Sequence, residues 1–138
     1  MRLGTMIEVI RQDFDPGVLI DSARKPGTGA VVSFLGVVRD DGITSMDLEA
    51  YEEVARDELS RIRDRAMERF GLETVTIVHR IGTLAVGDHI VLIVVGASHR
   101  AAAFSACEFI IDSIKESVPI WKKEYTAEGA RWVPGEHG

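Results

Sequence analysis

Cysteine is almost absent from the sequence: Cys107 is the single one among 138 residues. One thiol forms no disulfide within the chain and supplies no zinc site made of cysteines alone. The four histidines, His79, His89, His99 and His137, show no metal-ligand spacing with this cysteine. We therefore expect no metal site, and we expect a reducing compartment, the cytoplasm, as the location of the protein.

Long apolar runs and an excess of basic residues are also missing. The longest apolar run, residues 90–97, is too short to cross a bilayer, and the first six residues lack the apolar core of a signal peptide. The 22 acidic residues outnumber the 16 basic ones, which argues against non-specific binding to nucleic acid. Any basic site must therefore be a local pocket. Length and composition indicate a single domain over residues 1–138.

The sequence carries no signature loop of the common nucleotide-binding or serine-hydrolase classes. Gly27-Thr28-Gly29 lacks the rest of the dinucleotide fingerprint and precedes a strand, whereas that fingerprint opens a helix. A serine in a nucleophile elbow is absent as well. These absences weaken redox and serine-hydrolase interpretations.

Hydrophobic periodicity predicts alternating strands and helices, with several pairs of strands that follow each other without a helix between them. The run 29–38 is continuously apolar, which is typical of a strand covered on both faces. Because 74–81 and 89–97 are too close for a helical crossover, we predict an antiparallel pair there. The fold class is therefore α+β with a mixed or antiparallel sheet. The predicted strands are 6–12, 29–38, 45–51, 74–81, 89–97, 120–125 and 131–133. Three helices are predicted: a short one that begins at Asp15-Pro16, a long one over 52–70, and a second long one over 99–117 with Ser98 as its N-cap.

Two basic residues, His99 and Arg100, open the second long helix. Cations at a helix N-terminus oppose the helix dipole, so their presence suits a bound anion that also accepts hydrogen bonds from the free backbone N–H groups. The alternative is a solvated first turn, which costs a few tenths of a kcal/mol.

Three lysines lie near Pro119, which ends that helix. Lys115 precedes the proline, and Lys122 and Lys123 follow it. If the chain turns back at the proline, Lys115 and Lys122 face one pocket, where two close ammonium groups lower each other's pKa and favour proton transfer or nucleophilic chemistry. The alternatives are a favourable cation at a helix C-terminus and a solvated strand edge.

The remaining candidate residues have plain structural interpretations. Cys107 lies on or beside the apolar face of the second long helix and is expected in the core, where a thiol is inert. Phe34, Trp121 and Trp132 are expected as core or interface aromatics, although a flat ligand can stack on such a ring. Arg39 stands where an apolar strand ends, a position that site residues and structural arginines both occupy.

Short motifs follow one another in a set order along the chain: 29–40 (GAVVSFLGVVRD), 48–52 (LEAYE), 78–82 (VHRIG), 86–88 (VGD), 98–100 (SHR) and 115–124 (KESVPIWKKE). Together, from about residue 6 to 133, they resemble the MoaE family, the large subunits of molybdopterin synthase. The resemblance implies an α+β fold in which an α/β-hammerhead-like domain, with a mixed or antiparallel sheet, carries an added antiparallel subdomain.

The resemblance also implies an activity. Members of the family are sulfurtransferases that act on cyclic pyranopterin monophosphate, and they form the dithiolene of molybdopterin by two successive sulfur transfers. The sulfur arrives as a thiocarboxylate on the C-terminal Gly-Gly tail of a small ubiquitin-like subunit. No cofactor is implied for the large subunit itself. The implied assembly is a homodimer that binds one small subunit at each end, a 2:2 heterotetramer.

Position by position, the resemblance makes Lys115 and Lys122 the two essential lysines. The implied substrate-binding positions form three groups: Val37, Val38 and Arg39; His99 and Arg100; and Lys115, Lys122, Lys123 and Glu124. This sequence departs from some members, which have a lysine at the position of Val37 or a further arginine beyond the position of Trp132.

Two hypotheses from other classes stand beside the enzyme. One is a non-catalytic module that docks a ubiquitin-like protein, and the other is a sensor of a small anion or nucleotide. A docking module needs neither the two lysines nor His99 and Arg100, so their presence favours the enzyme.

Overall fold

The computed structural model describes residues 6–133. Residues 134–138, which include His137, lie outside the described residues. Of the positions beyond Trp132, where the sequence analysis noted the departure from some family members, the structure describes only Val133. The elements follow the chain as β1 (Met6–Ile10), α1 (Pro16–Asp21), β2 (Ala30–Val37), β3 (Ser45–Ala50), α2 (Glu52–Phe70), β4 (Thr74–Arg80), β5 (Gly82–Ala85), β6 (His89–Ala97), α3 (Arg100–Ser117), β7 (Ile120–Thr126) and β8 (Gly129–Val133).

The strands form two four-stranded sheets. The first has the order β1-β4-β6-β2, in which β1 and β4 are parallel and the other neighbours are antiparallel. The second is antiparallel throughout, in the order β5-β3-β7-β8. The predicted α+β class, with a mixed sheet and an added antiparallel subdomain, is therefore confirmed.

The main core lies between the first sheet and the two long helices. In α2, an apolar residue recurs at every third or fourth position, so one stripe of the helix faces the sheet (Ala55, Leu59, Ile62 and Ala66). Gly71 ends α2 with a φ of 62°, a left-handed conformation that glycine adopts without strain. A smaller cluster, formed by Leu19 and Ala23 with side chains of β4 and β6, covers the other face of the first sheet. None of the helices within residues 6–133 is long and apolar enough to cross a membrane.

Three sequence predictions are corrected by the structure. The antiparallel pairing of β4 with β6 is confirmed, but the connection between them contains β5, which leaves the first sheet and pairs with β3 in the second. In β2, the prediction of a strand covered on both faces is wrong, because β2 lies at the sheet edge and Phe34, Leu35 and Val37 are more than a third exposed. The N-cap of α3 is His99, one residue after the predicted Ser98.

Hydrogen bonds on the outer face of the second sheet hold its strands in register. Asp47 of β3 accepts hydrogen bonds from the hydroxyl groups of Thr83 in β5 and Tyr125 in β7. The same hydrogen bonds, from Thr83 first and Tyr125 second, lower the pKa of Asp47 below its ordinary value of 3.8. The register of β3 with β7 then decides which side chains of β7 point inward.

Candidate active site

A cavity of about 280 Å³ opens between the end of β2, the last turns of α3 and the inner face of the second sheet. Most of its wall is apolar, and that part is formed by Phe34, Leu35, Val37, Ile43, Met46, Leu48, Ile90, Val91, Ile93, Ile111 and Ile114. The polar side chains of the wall are three cations, two carboxylates and one imidazole: Arg39, Lys115, Lys122, Asp41, Glu124 and His79. Because apolar walls exclude water, charges here interact more strongly than they do on an open surface.

Lys115 and Lys122 line this one cavity from opposite sides of the Pro119 turn. Lys115 stands in the last turn of α3, directly after the buried Ile114. The helix ends at Val118, whose extended backbone passes the chain through Pro119 into β7. The sequence analysis required the chain to turn back at Pro119 if the two lysines are to share a pocket. The structure shows this turn.

Lys122 is held by a carboxylate on its own strand. In β7, Lys122 and Glu124 alternate with outward-facing residues, so both reach the inner face of the second sheet. The Nζ atom of Lys122 lies 3.6 Å from Oε2 of Glu124, and a guanidinium N–H of Arg131 donates to Oε1 of Glu124 at 3.1 Å. The side chains of Lys122 and Glu124 are 17% and 11% exposed, whereas that of Arg131 is 66% exposed. Glu124 thus links the cavity lysine to an arginine nearer the solvent.

Arg39 reaches the cavity from the loop that follows β2. Its Nε donates to the Asp41 carboxylate at 2.9 Å, and both side chains are more than half exposed. The loop is anchored one residue earlier: the amide of Val38 donates to the carbonyl of Asp88, and the Val38 carbonyl accepts from the amide of Gly87. Val37 lines the cavity, but Val38 is buried in the main core. Arg39 therefore extends from an anchored backbone and forms an exposed ion pair with Asp41 in the cavity wall.

His99 and Arg100 lie at the opposite end of α3 from Lys115. Fifteen residues separate Arg100 from Lys115, and at 1.5 Å per residue this corresponds to about 22 Å along the helix. Both residues are exposed, and the first turn of α3 contains no acidic side chain. One copy of the chain therefore does not bring His99 and Arg100 to the cavity that Lys115 and Lys122 share.

Lys123 and both tryptophans lie on the outer face of the second sheet. The ammonium group of Lys123 stands over the rings of Tyr125 and Trp132, at 5.6 and 5.3 Å from their centroids. Trp121 packs edge-to-face against Tyr51. Trp121 and Trp132 are about half exposed, so of the two predicted alternatives, core or interface, the core position is wrong for both and the interface position stays a prediction. Of the three aromatic residues, Phe34 lines the cavity.

Cys107 is buried in the main core, as predicted. Burial raises the pKa of its thiol to about 11, since an apolar environment disfavours the thiolate. Such a thiol is a poor nucleophile at neutral pH. Within residues 6–133, His, Cys, Asp and Glu side chains form no group of three or more that could hold a metal ion.

Two cavity residues, His79 and Asp41, were missed by the sequence analysis. Asp41 belongs to a polar turn, and nothing in its sequence neighbourhood marks a site. His79 did carry a signal, because it is one imidazole in a strand whose seven residues are all buried. On β4 it shares a face with Val75 and Ile77, which belong to the main core, so alternation predicts that it points toward the long helices.

Comparison with known proteins connects this chain and its fold to molybdopterin synthase. Residues 9–117 match the model of the MoaE protein family. Over 133 residues the chain is 47% identical to the molybdopterin synthase catalytic subunit of Ralstonia nicotianae, an alignment that covers 92% of this chain and 76% of that protein. The crystal structure of molybdopterin synthase from Staphylococcus aureus superposes with a TM-score of 0.88 at 36% identity, covering 97% of this chain and 98% of that one.

A more distant structure shares the same fold. It comes from Helicobacter pylori and is a protein–protein complex of subunits 1 and 2 of molybdopterin-converting factor, with 22% identity, a TM-score of 0.78 and coverage of 93% and 89%. The α+β fold with its two sheets is thus that of molybdopterin synthase structures. The chain belongs to the MoaE family.

Proposed function

We propose that this chain is the catalytic subunit of a molybdopterin synthase and works as a sulfurtransferase in the cytoplasm. It transfers sulfur from the thiocarboxylated C-terminus of a small ubiquitin-like subunit to cyclic pyranopterin monophosphate. The product is the dithiolene of molybdopterin. The observation that carries the proposal is the meeting of Lys115 and Lys122 in one cavity of a MoaE-family chain.

The charges of the cavity suit both reactants. The cyclic phosphate of the substrate is a diester with one negative charge, and the thiocarboxylate tail is an anion as well. Arg39, Lys115 and Lys122 supply hydrogen-bond donors and positive charge, which stabilise anions in a wall that is otherwise apolar. Arg39 is paired with Asp41 at an exposed position, where an ion pair contributes only about 0–1 kcal/mol, so an incoming anion can displace the carboxylate.

The two lysines take different roles in this proposal. Lys115 has no carboxylate partner among the described ion pairs and acts as nucleophile or proton-transfer group toward the thiocarboxylate or the pterin intermediate. Lys122 is held by its ion pair with Glu124, and in this proposal its ammonium group stabilises the negative charge that develops during transfer. No cofactor is needed, because the sulfur arrives on the partner subunit.

The assembly in this proposal is a homodimer that becomes a 2:2 heterotetramer with the small subunit. The exposed apolar side chains at the β2 edge, Phe34, Leu35 and Val37, are the kind of surface that a second chain covers. The separation of about 22 Å between Arg100 and Lys115 is a further argument for a dimer. Within a dimer, His99 and Arg100 of one copy can contribute the phosphate contacts to the cavity of the other.

The test of function is reconstitution of product formation. The purified chain is incubated with cyclic pyranopterin monophosphate and the thiocarboxylated small subunit, and oxidised molybdopterin is measured by fluorescence. We expect product from the native chain and from the surface control Lys25→Ala, and none above background from Lys115→Ala. Binding of the small subunit without any product would support the docking module and contradict the enzyme.

The test of assembly uses mixed dimers. Lys115→Ala and Arg100→Ala chains, each weak alone, are combined under conditions that exchange subunits. If the cavity takes its phosphate contacts from the second copy, the mixture recovers part of the activity, because one of its two cavities is then intact. A stable monomer in light scattering at micromolar concentration would contradict the dimer.

A further inference from the structure

The loop between β2 and β3 brings a cation and a carboxylate into the wall of the cavity. Arg39 and Asp41 both line the cavity, and one residue separates them in the chain. The loop is held on both sides of this pair, because Val38 and Ile43 are buried in the main core. Both side chains therefore reach the same space from a short, anchored loop, and both stay more than half exposed.

Asp41 engages the guanidinium group of Arg39 through one of its N–H groups. The Nε atom of Arg39 donates to Oδ2 of Asp41 at 2.9 Å. Within residues 6–133, no other residue forms an ion pair or a hydrogen bond with the Arg39 side chain. The anion that Arg39 contacts in this structure is thus a carboxylate of its own loop.

The neighbouring carboxylate, that of Asp40, makes a different contact. Its Oδ1 accepts a hydrogen bond from the backbone N–H of Gly42 at 3.2 Å. Asp40 is exposed and is not among the described residues that line the cavity. Two adjacent residues therefore carry the same charge, but Asp41 is the one whose carboxylate contacts Arg39. The chain thus contains a matched control for any effect of charge at Asp41.

We propose that Asp41 is an internal competitor at the anion site of Arg39: its carboxylate holds the guanidinium group until the cyclic phosphate of the substrate displaces it. This inference rests on the proposed function, which supplies that substrate. Asp41 thereby sets the affinity of the cavity for anions and is a specificity-determining residue of the proposed reaction.

The competition follows from charge and tethering. A carboxylate and a phosphate both bind a guanidinium group through its N–H groups, and two anions at one guanidinium repel each other. Because Asp41 is joined to Arg39 through a single residue, its carboxylate is present at a high effective concentration. An exposed ion pair is nevertheless weak, so this carboxylate gives way to an anion that has further contacts in the cavity.

The consequence is a selection of anions by their other contacts. Every anion that needs Arg39 is weakened by the same factor, because it binds only the fraction of chains in which Arg39 is released from Asp41. A small inorganic anion has few other contacts, so its occupancy falls. A pterin with a cyclic phosphate can also contact the apolar wall, Lys115 and Lys122, so it keeps enough affinity to bind.

The test compares Asp41→Asn with the matched variant Asp40→Asn. Each replacement removes one negative charge and keeps an oxygen that accepts the hydrogen bond of the native carboxylate. Affinity for cyclic pyranopterin monophosphate is measured by calorimetry, and affinity for inorganic phosphate by phosphorus NMR titration, all at one ionic strength. Calorimetry on Arg39→Ala and on Arg39→Ala combined with Asp41→Asn shows whether Asp41 acts through Arg39.

We expect Asp41→Asn to lower both Kd values by at least about twofold, the size that removal of a weak, exposed ion pair allows. Asp40→Asn should change them by less than about 1.5-fold, because its charge is exposed and screened by salt. Once Arg39 is replaced by alanine, adding Asp41→Asn should change the Kd for the pterin by less than about 1.5-fold. A gain of affinity is a result that mere damage to the fold does not give.

Three results would overturn the inference. One is a fall of less than about twofold in either Kd value of Asp41→Asn. Another is an equal gain in Asp40→Asn, as a general effect of net charge would give, and the third is a gain that persists without Arg39. A native chain that makes no molybdopterin would instead contradict the proposed function, and the phosphate titrations, which need no product, would still decide whether Asp41 competes for Arg39.

Discussion

Replacing Glu124 by glutamine tests whether this carboxylate holds Lys122 in the cavity. The substitution keeps the size of the side chain and one acceptor oxygen, but it removes the negative charge between Lys122 and Arg131. Because the Lys122 and Glu124 side chains are mostly buried, we assign about 1.5 kcal/mol to this pair, above the range of exposed pairs and below that of fully buried ones. The Arg131 contact is largely solvated and adds about 0.5 kcal/mol.

The expected loss in the free energy of unfolding is therefore about 2 kcal/mol, the sum of these two contributions. For a domain of this size, that loss lowers Tm by roughly 6–8 °C. Urea denaturation followed by tryptophan fluorescence measures it, at one protein concentration because association contributes to stability. Trp121 is a suitable probe, since it neighbours Lys122 on β7. The m-value should not change.

The matched control is Glu49→Gln, a carboxylate that is exposed on β3 of the same sheet. We expect this control to unfold like the native chain. We also expect kcat of Glu124→Gln to fall about tenfold, which corresponds to about 1.4 kcal/mol in the transition state, since the ammonium group loses its fixed position. An unfolding free energy within about 0.5 kcal/mol of the control, together with native kcat, would refute the reasoning about Glu124.

Four further predictions address other parts of the molecule. Lys115→Arg should be nearly as inactive as Lys115→Ala in single-turnover molybdopterin formation, because arginine stays protonated, while small-subunit pull-down stays normal; substantial activity would leave Lys115 as an electrostatic contact. Arg100→Ala should weaken calorimetric binding of cyclic pyranopterin monophosphate by roughly 1.5–3 kcal/mol and leave Tm unchanged, whereas unchanged affinity would make it a surface residue. Cys107, whose thiol has a pKa of about 11, should resist a disulfide reagent at pH 7 until urea unfolds the chain, and a fast reaction in the native state would contradict its burial. Because the pKa of Asp47 lies below its ordinary value of 3.8 in the folded chain, the ionised carboxylate stabilises the fold above pH 3.8, and this stabilisation is lost as pH falls through the folded-state pKa. The native chain should therefore be more stable than Asp47→Asn at pH 7, and this difference should fade below pH 3.8. Equal unfolding curves of the two chains at pH 7 would contradict the prediction.

Local sequence patterns predicted the elements whose signals are local. The helix predicted over 52–70 and the strand predicted over 89–97 have these bounds in the structure. The apolar stripe of the helix and the glycine that follows it are signals within the segment itself. The strand β5 escaped prediction because it has four residues and its partner β3 lies about 35 residues earlier, so nothing within the segment indicates the pairing.

The burial of β2 is a property that the local sequence pattern did not predict correctly. A continuous apolar run indicates that a strand avoids water, but it does not say which surface covers the strand. In one copy of the chain, β2 stands at a sheet edge and borders the cavity, so Phe34, Leu35 and Val37 stay partly exposed. The apolar run is compatible with a second chain or a ligand that covers β2. The sequence of one segment, however, does not say what covers it.

The sequence by itself determined the fold class, the family to which the motifs belong and the residue types available for chemistry, because these depend on local periodicity and on short motifs. Only the tertiary structure decided which of the candidates meet. Lys115, Lys122 and Arg39 come together because the chain turns at Pro119 and β7 pairs with β3, while the length of α3 keeps Arg100 about 22 Å away. The same packing brought His79 into the cavity wall, since alternation along a buried strand sets its face but the helices and sheets around it create the space that it faces.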